Sequence, residues 1–208
     1  MTGAIAGLYA ITSSALQPGD QLQQAVAAAI RGGAQVVQYR DKSADAGQRQ
    51  TAAAALADLC RAAGVCFIVN DDVALAAAVG ADGVHIGQDD AGIAAARAQL
   101  GPQAIIGVSC YNSLERAADA LAAGADYLAF GSVYPSPTKP EAVHAPLSLF
   151  AEARELTDRP LVAIGGINSD NAATVRAAGA DAVAVIEGVF GANDIELAAA
   201  AIAKQFND

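Results

Sequence analysis

The sequence contains no tryptophan, and aromatic residues make up only 5% of its 208 positions. A sandwich fold built around a core of bulky aromatic residues is therefore disfavoured. Alanine and glycine recur throughout, and 54% of the residues are hydrophobic. Small apolar residues favour helices that pack closely against a parallel sheet. A chain of 208 residues is long enough for one domain around one sizeable core.

Basic residues are also scarce. The 12 Lys and Arg residues are opposed by 22 Asp and Glu, which gives a formal net charge of −10. General nucleic-acid binding needs a basic surface, so the composition excludes this class of function. An anionic ligand would have to bind where cations are concentrated in one cleft of an otherwise acidic protein.

The chain has three cysteines, Cys60, Cys66 and Cys110, which form neither a CxxC pair nor a metal-ligand spacing. We expect buried or free thiols in a reducing compartment. The N-terminal stretch has no basic segment before a long apolar run, and nothing elsewhere approaches the ~20 apolar residues of a membrane span. The sequence thus predicts a soluble, cytoplasmic protein.

A short pattern recurs in which an Ala-rich, helix-like segment is followed by Gly-Ala, often by Asp, and then by β-branched residues. It occurs at Gly33-Ala34, Gly80-Ala81-Asp82, Gly124-Ala125-Asp126 and Gly179-Ala180-Asp181. Glycine suits the left-handed turn that ends many helices, so the pattern predicts repeated helix–strand units.

This interpretation gives eight strands that alternate with eight helices. The predicted strands are 7–11, 35–39, 66–69, 83–86, 104–108, 127–130, 161–164 and 182–186, and the helices lie near 19–31, 47–62, 72–79, 91–100, 113–123, 146–156, 170–178 and 194–206. Such an alternation predicts an α/β fold, a single-domain (β/α)8 TIM barrel over residues 1–208. The first strand is not followed by GxGxxG, which argues against a dinucleotide-binding fold.

Polar side chains are concentrated just after the predicted strands, at the end where such barrels place their active sites. Gln38 near the end of the second strand, and Arg40 and Lys42 just after it, project to one side if the extended geometry continues. Two cations and an amide held together would bind an anion, although solvated loop charges are the alternative. Asn70 follows the third strand, and Ser109 follows the fifth.

Two carboxylates, Asp71 and Asp90, follow adjacent strands and could converge at this rim. Hard oxygen ligands fit Mg²⁺, which is often shared with substrate phosphates. The alternative is that these residues cap helices, a role that Asp72 and Asp89 fit better than their neighbours do. His85 lies inside a strand, and we expect a core or supporting histidine rather than a general base.

Glycines mark a second anion site. Gly165-Gly166 follows the seventh strand and Gly188 follows the eighth, where barrels of this type bind phosphate through backbone N–H groups. The long loop after the sixth strand carries Ser136, Thr138 and Lys139, with a solvated loop as the alternative.

The sequence shows no nucleophilic triad and no paired acid and base carboxylates. The two anion sites instead indicate that a pyrophosphate leaves one substrate and that a second, phosphorylated substrate takes its place. Electrostatic stabilisation of the leaving group would be the main catalytic effect.

Seven short segments of the chain occur in the same order as the motifs of one known family. They are Leu8-Tyr9-Ala10-Ile11-Thr12, Gln38-Tyr39-Arg40-Asp41-Lys42, Val69-Asn70-Asp71, Gly83-Val84-His85-Ile86-Gly87-Gln88-Asp89-Asp90, Ile106-Gly107-Val108-Ser109, Ser136-Pro137-Thr138-Lys139 and Val162-Ala163-Ile164-Gly165-Gly166-Ile167. Together they closely resemble thiamine phosphate synthase (thiamine-phosphate pyrophosphorylase), and the resemblance covers the chain from residue 8 to about 190.

The resemblance implies a Mg²⁺-dependent transferase of thiamine biosynthesis. It would join 4-amino-2-methyl-5-hydroxymethylpyrimidine diphosphate to 4-methyl-5-(2-phosphoethyl)thiazole, or to its carboxylate form, and release pyrophosphate. The pyrimidine diphosphate would ionise to a carbocation-like species, which the thiazole nitrogen then attacks.

The resemblance also implies roles for individual residues. Gln38 would touch the pyrimidine, and Asp71 and Asp90 would hold the metal ion. The pyrophosphate would be held by Arg40, Lys42, Asn70, Ser109 and Lys139, all of which except Asn70 are the predicted catalytic residues. The thiazole phosphate would be held by Ser136, Thr138 and the backbone of Gly166, Ile186 and Glu187.

Two positions depart from the usual pattern of the family. The family commonly has Thr where this chain has Ser136, which keeps the hydroxyl, and Ser where this chain has Glu187. A carboxylate beside a phosphate is repulsive unless it points away. The contact at Glu187 is therefore expected through its backbone N–H.

Other functions fit the sequence less well. A thiazole tautomerase with the same barrel should not need the diphosphate-binding residues, and a non-catalytic sensor of a phosphorylated ligand could lose the metal ligands. An unrelated phosphate-binding isomerase would need an acid and base pair.

Two further properties are less well defined by the sequence. A homo-oligomer is compatible with it, but the number of subunits is not defined. The length of the Ser132–Pro140 loop predicts that it closes over the substrates. Unchanged proteolysis of the loop on adding both substrates would contradict that closure.

Overall fold

The structure, a computed structural model, describes residues 5–19, 21–42, 45–87, 92–135, 141 and 143–206. Within them, eight parallel strands pair in chain order, and β8 pairs with β1 to close a barrel. The strands are β1 (Gly7–Ile11), β2 (Ala34–Tyr39), β3 (Cys66–Asn70), β4 (Gly83–Ile86), β5 (Ile105–Tyr111), β6 (Tyr127–Gly131), β7 (Leu161–Ile164) and β8 (Ala182–Val185).

A helix follows each strand. The helices are α1 (Gln21–Arg31), α2 (Ala46–Ala63), α3 (Val73–Val79), α4 (Ile93–Leu100), α5 (Leu114–Ala122), α6 (Ser148–Arg154), α7 (Ala172–Ala177), α8 (Glu187–Phe190) and α9 (Ile195–Ala203), which continues into a 3-10 turn, Lys204–Phe206. The predicted (β/α)8 barrel is therefore confirmed. None of the helices in the described ranges has the length and hydrophobicity to cross a membrane.

The predicted boundaries agree closely with the structure. Strands β1, β4 and β7 have the predicted ends, whereas β5 continues three residues further than predicted, to Tyr111. Helix α8 was not predicted, because four residues are too few to show a helical period. Helix α6 is shorter at both ends than the predicted segment 146–156.

The strands bury side chains on both faces, in two separate cores. Outward-facing residues such as Leu8, Val37 and Phe67 pack under the helices. Inward-facing residues such as Tyr9, Val36 and Tyr127 fill the barrel interior. Because side chains alternate along a strand, every second residue faces the barrel interior. Those inward-facing residues that lie near the carboxyl end of a strand reach the ligand end of the barrel.

The Gly-Ala-Asp pattern has a structural explanation at the amino ends of the strands. Asp82 N–H donates to Phe67 O at 2.9 Å, while Phe67 N–H donates to the Asp82 carboxylate at 2.8 Å. Asp126 makes the same reciprocal pair with Ile106, at 2.8 and 2.9 Å. Each aspartate side chain thus accepts a hydrogen bond from an N–H group near the start of the preceding strand.

Asp181 completes this set, which we call the aspartate joints (Asp82, Asp126 and Asp181). Asp181 N–H donates to Leu161 O at 2.9 Å, and Leu161 N–H donates to the carboxylate at 2.7 Å. The Gly of each repeat has positive φ, for example 62° at Gly80, which ends α3 in the left-handed region. The repeat therefore combines a helix stop with a strand connection.

Candidate functional site

A cavity of about 160 Å³ lies inside the barrel at the carboxyl ends of the strands. The predicted site residues that line it are Gln38, Arg40, Asn70, Ser109 and Ile186. They come from β2 and the residue after it, from β3 and β5, and from the residue after β8. Each faces inward because it lies an even number of positions from the other interior residues of its strand. The structure thus brings these side chains to one site.

A second cavity of about 290 Å³ adjoins the first. The two share a wall formed by Ile164, Gly165, Ala184 and Ile186. Gly166, Glu187 and Gly188 line the second cavity, so the glycines after β7 and β8 meet there, as the sequence predicted. The rim therefore holds two neighbouring sites, one that contains the polar side chains of Gln38, Arg40, Asn70 and Ser109 and one that contains the glycines after β7 and β8.

Five inward side chains from five strands form a continuous set of hydrogen bonds, which we call the interior network (Gln38, Tyr9, Tyr127, His85 and Ser109). Gln38 Nε2 donates to Tyr9 Oη at 2.7 Å, and Tyr9 Oη lies 2.8 Å from Tyr127 Oη. His85 Nδ1 lies 2.9 Å from Tyr127 Oη, and His85 Nε2 lies 2.9 Å from Ser109 Oγ.

The two tyrosines of this network are fully buried, and burial raises the pKa of both hydroxyls well above 10. Both therefore stay protonated at neutral pH. The Tyr127 ring stacks on His85, with ring centroids 5.6 Å apart. It lies over Gly107, where an added Cβ would overlap the ring. Glycine at this position therefore makes room for the tyrosine.

His85 is 9% exposed, and both of its ring nitrogens are hydrogen-bonded. This arrangement agrees with the expected supporting histidine. It also explains how a histidine is accommodated between the apolar residues Val84 and Ile86, since its polar atoms are satisfied within the barrel.

Arg40 is positioned through its backbone by Thr12, which follows β1. Thr12 Oγ1 accepts the Arg40 N–H at 2.9 Å and donates to the Arg40 carbonyl at 3.4 Å. Thr12 is 1% exposed, so this contact is held inside the protein. Lys42 lies two residues beyond Arg40 and is exposed; among the described residues it lines neither cavity.

Asp71 follows Asn70 at the end of β3 and is exposed on the rim. Its φ of 63° is unusual for a residue with a side chain, and its N–H donates to His85 O at 2.8 Å. Asp72 caps α3 by accepting the Leu75 N–H at 2.9 Å, as expected. Asp71 thus lies in a left-handed turn on the rim, and its neighbour Asp72 caps the helix.

The backbone near Gly166 is held by Asn171. Asn171 Nδ2 donates to Gly166 O at 3.0 Å, and Asn171 Oδ1 accepts the Asn168 N–H at 2.9 Å. Gly166 has φ of 60°, and a Cβ there would overlap Tyr134 and Pro135. Helix α8 begins at Glu187, and the first N–H groups of a helix have no acceptor within it.

Several predicted residues lie outside the described residues: Asp90, Ser136, Thr138 and Lys139. In the described part of the chain there is no group of three or more His, Cys, Asp or Glu side chains that could hold a metal ion. The three cysteines are buried and free, as expected.

Sequence reasoning missed four residues that organise the site: Tyr9, Thr12, Tyr127 and Asn171. Tyr9 and Thr12 occur in a segment that resembles a family motif, but no role was inferred for them. A usable signal for Tyr9 and Tyr127 was that each is a polar aromatic residue at an inward-facing position of a predicted strand. Asn171 gave no signal, because its contact depends on the path of a loop.

A closed parallel barrel with polar side chains gathered at the carboxyl ends of its strands is the architecture of a (β/α)8-barrel enzyme. Residues 8–189 match the model of the thiamine monophosphate synthase family. The chain belongs to this family and is an enzyme of the transferase class.

Similar proteins span nearly the whole chain. The thiamine-phosphate synthase of Thioalkalivibrio sulfidiphilus is 58% identical over 200 residues, which are 96% of this chain and 95% of the relative. That of Halorhodospira halophila is 55% identical over 202 residues, 97% of this chain and 95% of the relative.

A solved structure, the thiamine phosphate pyrophosphorylase from Pyrococcus furiosus, superposes with a TM-score of 0.87. It is 39% identical in sequence, and the match covers 97% of this chain and 95% of that one. The family and the fold of this chain are thus supported independently by sequence and by structure.

Proposed function

We propose that the chain catalyses thiamine phosphate synthesis: it joins 4-amino-2-methyl-5-hydroxymethylpyrimidine diphosphate to the thiazole phosphate, or to its carboxylate form, and releases pyrophosphate. The observation that carries this proposal is the pair of adjoining cavities, since two substrates must meet with their reacting atoms close together. The similarity to proteins named thiamine-phosphate synthase supports it, and neither the tautomerase nor the sensor alternative gains support.

The first cavity would hold the pyrimidine diphosphate. Gln38 would contact the pyrimidine inside the barrel, and Arg40, Asn70 and Ser109 would bind the diphosphate near the rim. Lys42 and Lys139 would add positive charge from the segments that follow β2 and β6. Charge-assisted hydrogen bonds of this kind become stronger as the diphosphate leaves with more negative charge.

The reaction would proceed by cleavage of the carbon–oxygen bond to the diphosphate, which leaves with both electrons of that bond. The lone pair of the thiazole nitrogen then forms the new carbon–nitrogen bond. Ile11, Ala129, Val162 and Ala184 line the first cavity and would exclude water from the cationic carbon between these steps.

The second cavity would hold the thiazole phosphate. Backbone N–H groups of Gly166, Ile186 and Glu187 would bind the phosphate, with hydroxyls of Ser136 and Thr138 added from the loop after β6. The Glu187 side chain is exposed, which leaves it room to point away from the phosphate.

Asp71 and Asp90 would hold Mg²⁺, which supplies positive charge to the departing diphosphate when bound. Of these two residues, the structure describes Asp71. Its position suits a metal ligand, because it offers a hard carboxylate oxygen on the rim and follows Asn70, which lines the first cavity. We further propose that the enzyme acts in the cytoplasm, on the ground that its three cysteines are buried free thiols.

The test is pyrophosphate release by the wild type, by Lys139→Ala and by a matched control, Lys204→Ala, which removes an exposed lysine from the 3-10 turn. Release should require both substrates and Mg²⁺. It should fall by about 100-fold or more in Lys139→Ala and stay unchanged in the control. Absence of release by the wild type while the thiazole phosphate still binds would refute the proposed function.

A further inference from the structure

The interior network has two ends, and both lie at the proposed pyrimidine diphosphate site. Gln38 is one end and Ser109 is the other, with Tyr9, Tyr127 and His85 between them. Each hydroxyl and the imidazole in the middle has a neighbour on either side within 2.9 Å. The network therefore connects the place where the ring would be recognised with the place where the diphosphate would bind.

The hydrogen bonds of the network must all point in one direction. Burial raises the pKa of Tyr9 and Tyr127, so each keeps one proton to donate and accepts one bond in return. A neutral imidazole likewise donates from one nitrogen and accepts at the other. Reversing one bond would leave two donors or two acceptors facing each other, so the network reverses as a whole.

In one of the two directions, Gln38 Nε2 donates to Tyr9 Oη, a contact of 2.7 Å. In that case Tyr9 donates to Tyr127, Tyr127 donates to His85 Nδ1, and His85 Nε2 donates to Ser109 Oγ. This direction leaves the Ser109 hydroxyl with its own proton to donate to a ligand. It also leaves Oε1 of Gln38 as an acceptor, and within the described part of the chain this oxygen has no partner.

In the opposite direction, Ser109 gives its proton to His85 and no longer donates to a ligand. At the other end Gln38 Oε1 accepts from Tyr9, and the amide N–H groups face the cavity instead. An anion beside Ser109 is an acceptor without protons, so it stabilises the first direction and disfavours the second.

We propose that a diphosphate bound at Ser109 fixes the direction of the interior network, so that Gln38 accepts a hydrogen bond from the exocyclic amino group of the pyrimidine. Gln38 would then reject a ring that carries an oxo group at the same position, because two acceptors would face each other. The proposal rests on the proposed function and adds to it a selectivity that the diphosphate controls. Tyr9, Tyr127 and His85 are positioning residues in this scheme.

The size of the effect follows from the bond that reversal would break. A hydrogen bond to a charged group corresponds to about 10- to 100-fold in an equilibrium or rate constant. A network cut in the middle would let the Gln38 amide turn without loss of the Ser109 bond to the diphosphate. Preference for the amino ring over the oxo ring should then fall by about 10- to 100-fold.

The experiment measures kcat/KM for the pyrimidine diphosphate and for its 4-oxo analogue, and compares the ratio among variants. Tyr127→Phe and Tyr9→Phe each cut the network while keeping the ring. The matched control is Tyr39→Phe, since Tyr39 is also buried on a strand but faces outward, with its hydroxyl on Asp41 at 3.2 Å. Differences in intrinsic reactivity between the two substrates cancel because only changes in the ratio are interpreted.

A second measurement does not depend on turnover. Inorganic pyrophosphate with Mg²⁺ should increase the affinity of the wild type for the unphosphorylated aminopyrimidine alcohol. It should increase the affinity for the 4-oxo alcohol to a smaller extent. This difference between the two alcohols should vanish in Tyr127→Phe and in Tyr9→Phe. If one variant does not fold, the other decides.

The outcomes separate the two proposals. A wild type that makes no thiamine phosphate refutes the proposed function, and this inference falls with it. A wild type that makes the product but keeps the same amino-to-oxo ratio in both network variants refutes the inference alone. An equal fall of the ratio in Tyr39→Phe also refutes it, because the effect would then reflect general loss of packing.

Discussion

Thr12 offers a direct test of how Arg40 is held at the rim. Thr12→Val removes the hydroxyl that accepts the Arg40 N–H at 2.9 Å and contacts its carbonyl at 3.4 Å, with little change in side-chain volume. Thr12 is 1% exposed, so water does not easily replace the lost bonds. A partly buried N–H left without a partner costs about 1–3 kcal/mol.

Two changes should follow from this loss. The melting temperature should fall by roughly 2–4 °C for each kcal/mol lost in a domain of this size. The Arg40 backbone would also lose its fixed position, so kcat/KM for the pyrimidine diphosphate should fall by about 10-fold, while KM for the thiazole phosphate stays near the wild-type value.

The assays are thermal unfolding followed by circular dichroism and steady-state pyrophosphate release with each substrate varied in turn. Thr12→Ser, which retains the hydroxyl, is the matched control and should keep most of the activity. The reasoning is wrong if Thr12→Val has wild-type kcat/KM, or if Thr12→Ser loses as much activity as Thr12→Val.

Three further predictions concern other parts of the barrel. Asp126→Ala removes the partner of the Ile106 N–H and of the Arg97 guanidinium. It should lower the free energy of unfolding by about 1–3 kcal/mol with kcat/KM unchanged, measured by urea unfolding and turnover; unchanged stability would contradict the role of the joint. Gly107→Ala should displace the Tyr127 ring and lower the free energy of unfolding by about 1–3 kcal/mol. It should also abolish measurable binding of the pyrimidine in calorimetry, and wild-type affinity would contradict this. Burial raises the pKa of all three cysteine thiols from 9.0 to about 12. The buried neutral thiols should therefore stabilise the folded state fully below pH 9, and this stabilisation should be lost as the pH rises towards 12. A free energy of unfolding with the same pH dependence in a variant with all three cysteines replaced by alanine would rule out that contribution.

The fold could be predicted well because its signals are local. Gly80-Ala81-Asp82 and its copies mark four of the returns from helix to strand, and the hydrophobic runs that follow have the length of strands. Helix α8 escaped prediction because its four residues carry no periodicity.

The candidate site was predictable to a smaller extent. Gln38, Arg40, Asn70 and Ser109 could be placed at the rim, because each lies near the carboxyl end of a strand or just after it, and the barrel brings these ends together. The contact between Tyr9 and Tyr127 joins residues 118 positions apart across the barrel interior. No pattern in either segment specifies that partner, which depends on closure of the whole sheet. The individual roles of the residues came from resemblance to a family and stay predictions.

The aspartate joints have a consequence for how barrels of this kind can be recombined. Each joint uses an aspartate side chain on one side and only a backbone N–H and carbonyl on the other, supplied here by Phe67, Ile106 and Leu161. These two hydrogen bonds therefore do not depend on the identity of the strand side chain, provided that this residue is not proline, although Asp126 and Asp181 also pair with Arg97 and Arg154. Helix–strand units from different ancestors could be exchanged at these junctions and still register correctly with their neighbours. New ligand specificities could then be assembled from existing segments, because the junctions lie at the amino ends of the strands, away from the residues proposed to contact substrates.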